Sequence, residues 1–282
     1  MDSPGTLMQR HFPLFRALTH ARAGLAGAAL AVLAGCASAP ADTISLPSAT
    51  PQPAKTEAQV AGLAVEKIQW QGTRPGCEGQ CPRIEIDSVA FPDIPRLTEL
   101  VDHVLAYMTG VDPDRPRPYG TLAEYAQYFW QTAQSRDSTI FKASVKAVSG
   151  NIIALELHTG QYLTGAAHGI PATQYLNWQR DQNRVLALDE ALLPGGRTAY
   201  VEALRRAHAA WLTRNEDAQR DPQTYNRMWP FQESDNFALT PEGMVIKYDA
   251  YSIAPYSHGQ PELLIPYNEL HGVLRPEFMP AA

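Results

Sequence analysis

The 282-residue sequence predicts an α+β fold: an antiparallel sheet built from hairpins, with helices inserted between them. Three observations predict it. Stretches of period-two alternation come as adjacent pairs, as at residues 139–148 and 152–158 around Ser149-Gly150-Asn151. Amphipathic helical stretches interrupt these pairs instead of following every strand, which argues against a parallel β-α repeat. No internal repeat points to a solenoid or propeller.

The first 35 residues read as an export signal. Arg10, Arg16 and Arg22 make a positive start, and residues 23–34 are apolar and uncharged. That run is shorter than the roughly 20 residues that a spanning helix needs. It ends in Leu33-Ala34-Gly35-Cys36, which resembles the bacterial lipobox. There small residues precede the cut, and the thiol accepts a diacylglyceryl group and becomes the new N-terminus. Cys36 is therefore the expected lipidation site and a membrane anchor, the alternative being an ordinary secretory signal. Ala37 after it is compatible with passage to an outer membrane, facing the periplasm. No other apolar run is long enough to span a bilayer.

Loss of this leader would leave 247 residues and, with three Arg and one Asp gone, take the formal charge from −6 to −8. Such a balance argues against nucleic acid, which needs a concentrated positive face. It suits a basic partner and also simply favours solubility. With Cys36 committed, Cys77 and Cys81 in GCEGQCP read as a disulfide closing a tight loop, since an exported chain meets an oxidising compartment. A zinc site would want four ligands, and no histidine lies nearby.

Residues 36–62 are rich in Ala, Ser, Thr and Pro and predict a disordered tether, with folded structure from about Leu63 to Ala282. That part is one unit or two tightly packed sub-units, about 63–160 and 161–282. Strands are predicted at 64–70 and 82–91, flanking the disulfide. Leu97, Leu100, Val101, Val104, Leu105 and Met108 give an amphipathic helix, followed by a proline-rich loop at 111–119. Thr121 and Glu124 fit a capping box ahead of the stripe Leu122, Tyr125, Ala126, Phe129, Trp130 and Ala133. After the 139–158 hairpin come strands at 162–164, 173–180 and 185–188, and a helical turn at 189–193. A long helix follows, carrying Tyr200, Leu204, His208 and Trp211. Polar sequence from 215 to 235 leads to a last hairpin, 237–239 and 244–248 around Thr240-Pro241-Glu242-Gly243. A strand at 262–265 and a short helix at 267–274 end the pattern.

The run YLTGAAHG from Tyr162, the strand with Tyr175 and Asn177, VLALDEALL, and then NFALTPEGMVIKYDAYSIAPYSHGQPELLIPYNEL together resemble a known arrangement. It is the extracytoplasmic domain shared by the anti-sigma-V factor RsiV and the peptidoglycan deacetylase PdaC, over roughly residues 84–274. The resemblance implies a cell-envelope domain, which in the anti-sigma factor is a receptor for lysozyme. The chain shows neither the cytoplasmic anti-sigma segment with its transmembrane helix nor the metal-binding Asp-Asp pair and paired histidines of the deacetylase domain. Sigma-factor control and deacetylation are therefore not carried over.

Among chemistry-bearing residues, His168 between Gly165 and Gly169 reads either as a ligand-contacting or proton-transfer group or as a turn histidine bonded to a carbonyl. The second is favoured, because no nucleophile or carboxylate stands at fixed spacing from it. Tyr251, Tyr256 and His258 are the candidate ligand-binding residues of the last hairpin region, since aromatics with polar tips bury large area with few rotors. Tyr248 and Tyr267 read as core. Ser234-Asp235-Asn236 matches one motif of penicillin-recognising enzymes, but no lysine has the required serine three residues before it, so it is coincidental. There is no HExxH, GxSxG or phosphate-loop motif, and no metal or cofactor is predicted. The expected function is a lipid-anchored, non-catalytic envelope binding protein with a lysozyme-like protein or peptidoglycan as partner. The alternatives are an envelope hydrolase using His168 and a structural outer-membrane lipoprotein.

Overall fold

The computed structural model describes residues 43–47, 51–109 and 119–280, so the expected export signal, Cys36 as the expected lipidation site and most of the proline-rich loop lie outside the described residues. One sheet of seven strands holds the fold: β1 (Ala54–Val60), β2 (Leu63–Thr73), β3 (Arg83–Ala90), β4 (Ser138–Ser149), β5 (Ile152–Tyr162), β6 (Ile170–Gln179) and β7 (Arg184–Val185). The strands lie side by side in chain order. All neighbours are antiparallel except β3 and β4, which run parallel. This departs from the all-antiparallel expectation, and the connection explains it. Helices α1 (Pro95–Tyr107) and α2 (Leu122–Thr132) lie between β3 and β4, and a crossover of that length returns the chain in the same direction.

One face of the sheet is covered by these helices. Ile84, Ile86, Phe141, Ile153, Leu155, Leu157 and Trp178 point into a shared core with Leu97, Val101, Leu105 and Phe129. The alternation read from the sequence is the cause, since residues two apart share a face. The α2 cap differs slightly from the expected box. Thr121 accepts from the Glu124 amide at 3.2 Å, but the Glu124 carboxylate bonds the amide of Gly120, at 2.7 Å, instead of that of Thr121.

The other face carries a three-stranded sheet, β10 (Glu262–Pro266), β9 (Gly243–Lys247) and β8 (Phe237–Thr240) in that order. With α3 (Leu188–Ala191), α4 (Arg197–Leu212) and a 3-10 turn Tyr267–Glu269, it builds a second core around Tyr200, Leu204, Phe237, Met244, Ile246 and Ile265. The β8–β9 loop is two residues long, Pro241-Glu242, with Thr240 paired to Gly243. Gly243 is required there: a Cβ would come within 2.3 Å of the Ile265 carbonyl oxygen on β10. The stretch 215–235, expected as a connection, contains two short helices, α5 (Glu216–Arg220) and α6 (Pro222–Met228). The predicted 162–164 strand is the end of β5 and its outgoing loop, and the last helix is only the 3-10 turn.

Two boundaries change. A cut into sub-units at 160/161 would run through β5, whose neighbours Ile152 and Ile153 point into different cores. The two cores thus share one sheet inside one compact unit. The tether also gives way to structure before Leu63. Strand β1 pairs with β2 through a turn at Ala61-Gly62 with φ of 49° and 78°. Its sequence AKTEAQV gave no burial signal because it is a largely exposed edge strand, held mainly by backbone pairing, with Lys55 also bridging to Glu66 of β2 at 2.7 Å. Ile44 is fully buried in the helix-side core, and Ser45 Oγ donates to the Asp102 carboxylate at 2.8 Å. Burial raises the Asp102 pKa to about 6, against the lowering effect of Ser45. The Cys77–Cys81 disulfide is present with Cα atoms 5.9 Å apart, in the loop that Arg74 and Pro82 close by a backbone hydrogen bond.

Candidate functional site

The polar face of β5 and β6 positions the candidate residues. Register places His158 beside Thr173, Glu156 beside Tyr175 and Ala154 beside Asn177, all toward the small sheet. Two asparagines join the layers as backbone mimics. Asn177, buried, donates to the Phe237 carbonyl at 2.7 Å and accepts from the Leu239 amide at 2.9 Å. Asn236 does the reverse, accepting from the Tyr175 amide at 2.6 Å and donating to the Thr173 carbonyl at 2.7 Å. The Ser-Asp-Asn match is thus a structural joint, and the amide side chain is what the joint uses.

Further along, Thr173 Oγ1 donates to Gln260 Oε1 at 2.7 Å, and Gln260 Nε2 donates to Asp249 at 3.1 Å. His158 Nδ1 lies 2.8 Å from the same Thr173 oxygen, and with that oxygen's proton committed to Gln260, the ring nitrogen is assigned as donor. Burial and Lys142 lower the His158 pKa, which keeps the ring neutral. These bonds fix the β9–β10 loop over the β5–β6 loop.

His168 and Tyr251 meet there. The His168 Nε2 atom is 3.2 Å from the Tyr251 hydroxyl, and its ring stacks on Tyr256 with centroids 4.0 Å apart. Tyr256 donates to the Gly169 carbonyl at 3.1 Å, and His168 Nδ1 lies 2.9 Å from that same oxygen. Donation from Nδ1 leaves Nε2 to accept the Tyr251 proton. Trp229, at the end of α6, adds a fourth ring, stacked on Tyr251 at 6.2 Å. Tyr251 is 51% exposed and sits at φ 69°, in the third position of a turn closed by Ser252 N to Asp249 O. That position suits glycine, and a tyrosine in it is strained by roughly 1 kcal/mol or more. Met228 and Ile170, next to Trp229 and Gly169 in the chain, are also exposed. The result is an exposed aromatic surface whose hydrogen-bond partners are a carbonyl and hydroxyls. Among the described residues, no carboxylate or serine oxygen bonds His168.

Three of the four sequence candidates therefore share one surface, and the fourth does not. His258 lies in a separate recess, its ring edge-on to Trp211 at 6.4 Å and its Nε2 3.7 Å from Asp217. Tyr248 and Tyr267 are buried, as read from the sequence. Trp229 escaped the sequence reading because it lies in a polar stretch, and the adjoining MWP was the available signal.

Comparison with solved structures decides the family. A crystal structure of a DUF3298 family protein from Pseudomonas aeruginosa PAO1 matches with TM-score 0.72 and 37% identity, covering 78% of this chain and 98% of that one. The chain belongs to the DUF3298 family. The family's own model, described as "Protein of unknown function (DUF3298)", matches residues 191–268. A DUF3298 member from Bacteroides fragilis NCTC 9343 shares the fold at 20% identity and TM-score 0.61, over 78% of this chain and 98% of its own. No curated protein matches. Within this DUF3298 protein the matched segment contains Trp229, Tyr251 and Tyr256, while His168 comes from outside it, in the β5–β6 loop of the large sheet. Two parts of the chain must therefore fold together to assemble the surface.

Proposed function

We propose that this DUF3298 protein is a non-catalytic binding protein of the cell envelope, held by a lipid on Cys36, and that it captures a lysozyme-like protein on its aromatic surface. One observation carries the reading: Tyr251 is kept exposed in a left-handed backbone where glycine would be relaxed. Strain of that kind is retained where a side chain must be presented. Tyr and Trp in a compact cluster are the usual anchors of protein recognition. The net negative charge suits a basic partner, and the resemblance to the RsiV and PdaC envelope domain supports the same class. His168 positions the Tyr251 hydroxyl and needs no role in proton transfer.

Calorimetric titration of the full chain with lysozymes and with soluble peptidoglycan fragments tests this. Tyr251→Gly should relieve the strain, so its Tm should hold or rise while affinity falls at least about 10-fold. Affinity for glycan fragments alone would move the reading to a wall-binding protein. Turnover of muropeptides that vanishes in His168→Ala would replace it with the hydrolase. Absence of any affinity would sink it.

A further inference from the structure

The disulfide loop between β2 and β3 and the turn that leads into β4 enclose a cavity of about 430 Å³, a volume in the range of small-molecule sites. Both walls are tied down by the backbone. On the loop side, Cys77 and Cys81 close the ring, and Arg74 Nη1 donates to the Ala133 carbonyl at 3.2 Å, docking the loop on the end of α2. On the turn side, Asp137 accepts from the Gln134 amide at 2.8 Å and from the Thr164 amide at 2.6 Å. The Arg136 amide donates to Thr164 Oγ1 at 3.3 Å. The two walls meet where the Arg83 amide donates to the Asp137 carbonyl at 3.0 Å.

Against this fixed frame, two guanidinium groups are left unused. Arg83 and Arg136 both line the cavity, and among the described residues neither side chain bonds a carboxylate or a carbonyl. Elsewhere Arg184, Arg197 and Arg206 each face a carboxylate. Two like charges on one cavity repel unless an anion lies between them. Thr73, Ser135 and Ser138 add hydroxyl donors, and Asp137, whose two oxygens already accept amides, is the single carboxylate among the lining residues. We infer that this cavity binds a phosphate group, with Arg83 and Arg136 donating to its oxygens and the hydroxyls completing the set. The guanidinium fork matches a phosphate edge, and two forks offer more donors than the two oxygens of a carboxylate can take up. A soluble phosphate ester and the phosphodiester of a lipid head group offer the same chemistry. The site shares no residue with the aromatic surface and does not depend on its function.

Titration of the full chain, followed by NMR and calorimetry, tests this with three probes. Glycerophosphate should bind with millimolar or better affinity and shift the amides of Gly79, Gln80, Ser135 and Arg136. Acetate should bind at least about 10-fold more weakly. Glycerophosphoglycerol, the diester of a lipid head group without its chains, separates the sources. Tighter binding than glycerophosphate points to a membrane head group, and weaker binding to a soluble phosphate ester. Arg83→Gln and Arg136→Gln should each weaken glycerophosphate about 10-fold with Tm unchanged, since among the described residues neither guanidinium has a protein partner to lose. Arg83→Lys, which keeps the charge and loses the fork, should regain only part of that affinity. No binding of glycerophosphate, equal binding of acetate, amide shifts spread over other exposed arginines, or affinity untouched by both glutamine variants would overturn the assignment.

Discussion

The two faces of the seven-stranded sheet are packed by different physics. Toward α1 and α2 the interface is apolar: Ile84, Ile86, Phe141, Leu155 and Leu157 are all fully buried against helix side chains. Toward the small sheet the layer is polar, with Asn177, Asn236, Thr173 and Tyr175 bonding across it and an ion cluster of Lys146, Lys247, Glu156 and Glu262 at its margin. The first kind of contact is non-directional and tolerates sliding. The second fixes register, because a hydrogen bond fails when the layers shift by an ångström. The aromatic surface sits on the polar face, at one end of β6. A surface assembled from two distant chain segments needs the layer whose position is specified.

Truncation on each face tests that contrast. Leu155→Ala, in the apolar layer, should cost about 3 kcal/mol, through lost transfer energy and a cavity that neighbouring side chains only partly fill. For a unit of this size, that is a Tm drop of very roughly 6–12 °C by calorimetry. Binding at the aromatic surface should survive it at temperatures where the protein is folded. Asn177→Leu should cost about 2 kcal/mol, since the Phe237 carbonyl and Leu239 amide are left buried without partners. It should also reduce binding at the aromatic surface, as β8 and the β9–β10 loop lose their seat. If Asn177→Leu weakens stability alone and leaves affinity intact, the polar layer does not position the site.

The same contrast explains what could be read from the sequence. Alternation such as Ile84-Ile86 and Leu155-Leu157 is the signature of an apolar face, so the strands and the helix side were legible. Thr173, Asn177 and Asn236 have the composition of a solvent face, and nothing in a linear pattern says that a second sheet lies over them. The parallel β3–β4 pair was hidden for another reason. It depends on where two helices return the chain, which is a property of the crossover and not of either strand. Strand β1 was missed because backbone pairing at an exposed edge asks for no apolar residue. For the candidate site, the aromatic residues were visible, but their division was not: His168, Tyr251 and Tyr256 converge, whereas His258 turns toward Trp211.

The smallest effect concerns the ion cluster at the margin of the polar layer. Glu262 Oε1 accepts from Tyr175 at 2.6 Å and faces Lys247 at 2.9 Å and Lys146 at 3.1 Å. Burial pushes its pKa up, but the Tyr175 hydroxyl and the two ammonium groups outweigh it and hold the carboxyl at about 2. A folded-state pKa below the ordinary 4.5 means that the unfolded chain takes the proton first as pH falls. The stabilisation is therefore complete above about pH 4.5 and lost toward pH 2. Asp102 acts in the opposite sense, because its raised value makes the folded state favour the proton between about pH 6 and 4. The overall acid profile mixes the two, so the informative quantity is the difference between the wild type and Glu262→Gln, in which Asp102 cancels. The Glu262 side chain is 37% exposed and screened by solvent, so the gap at neutral pH should be only about 1 kcal/mol. Denaturant titrations at successive pH values should show that gap closing between pH 4.5 and 2. A gap that stays constant down to pH 2 would mean that the cluster stabilises by packing of its long side chains and not by charge, and the margin would then resemble the helix face more than the asparagine joints beside it.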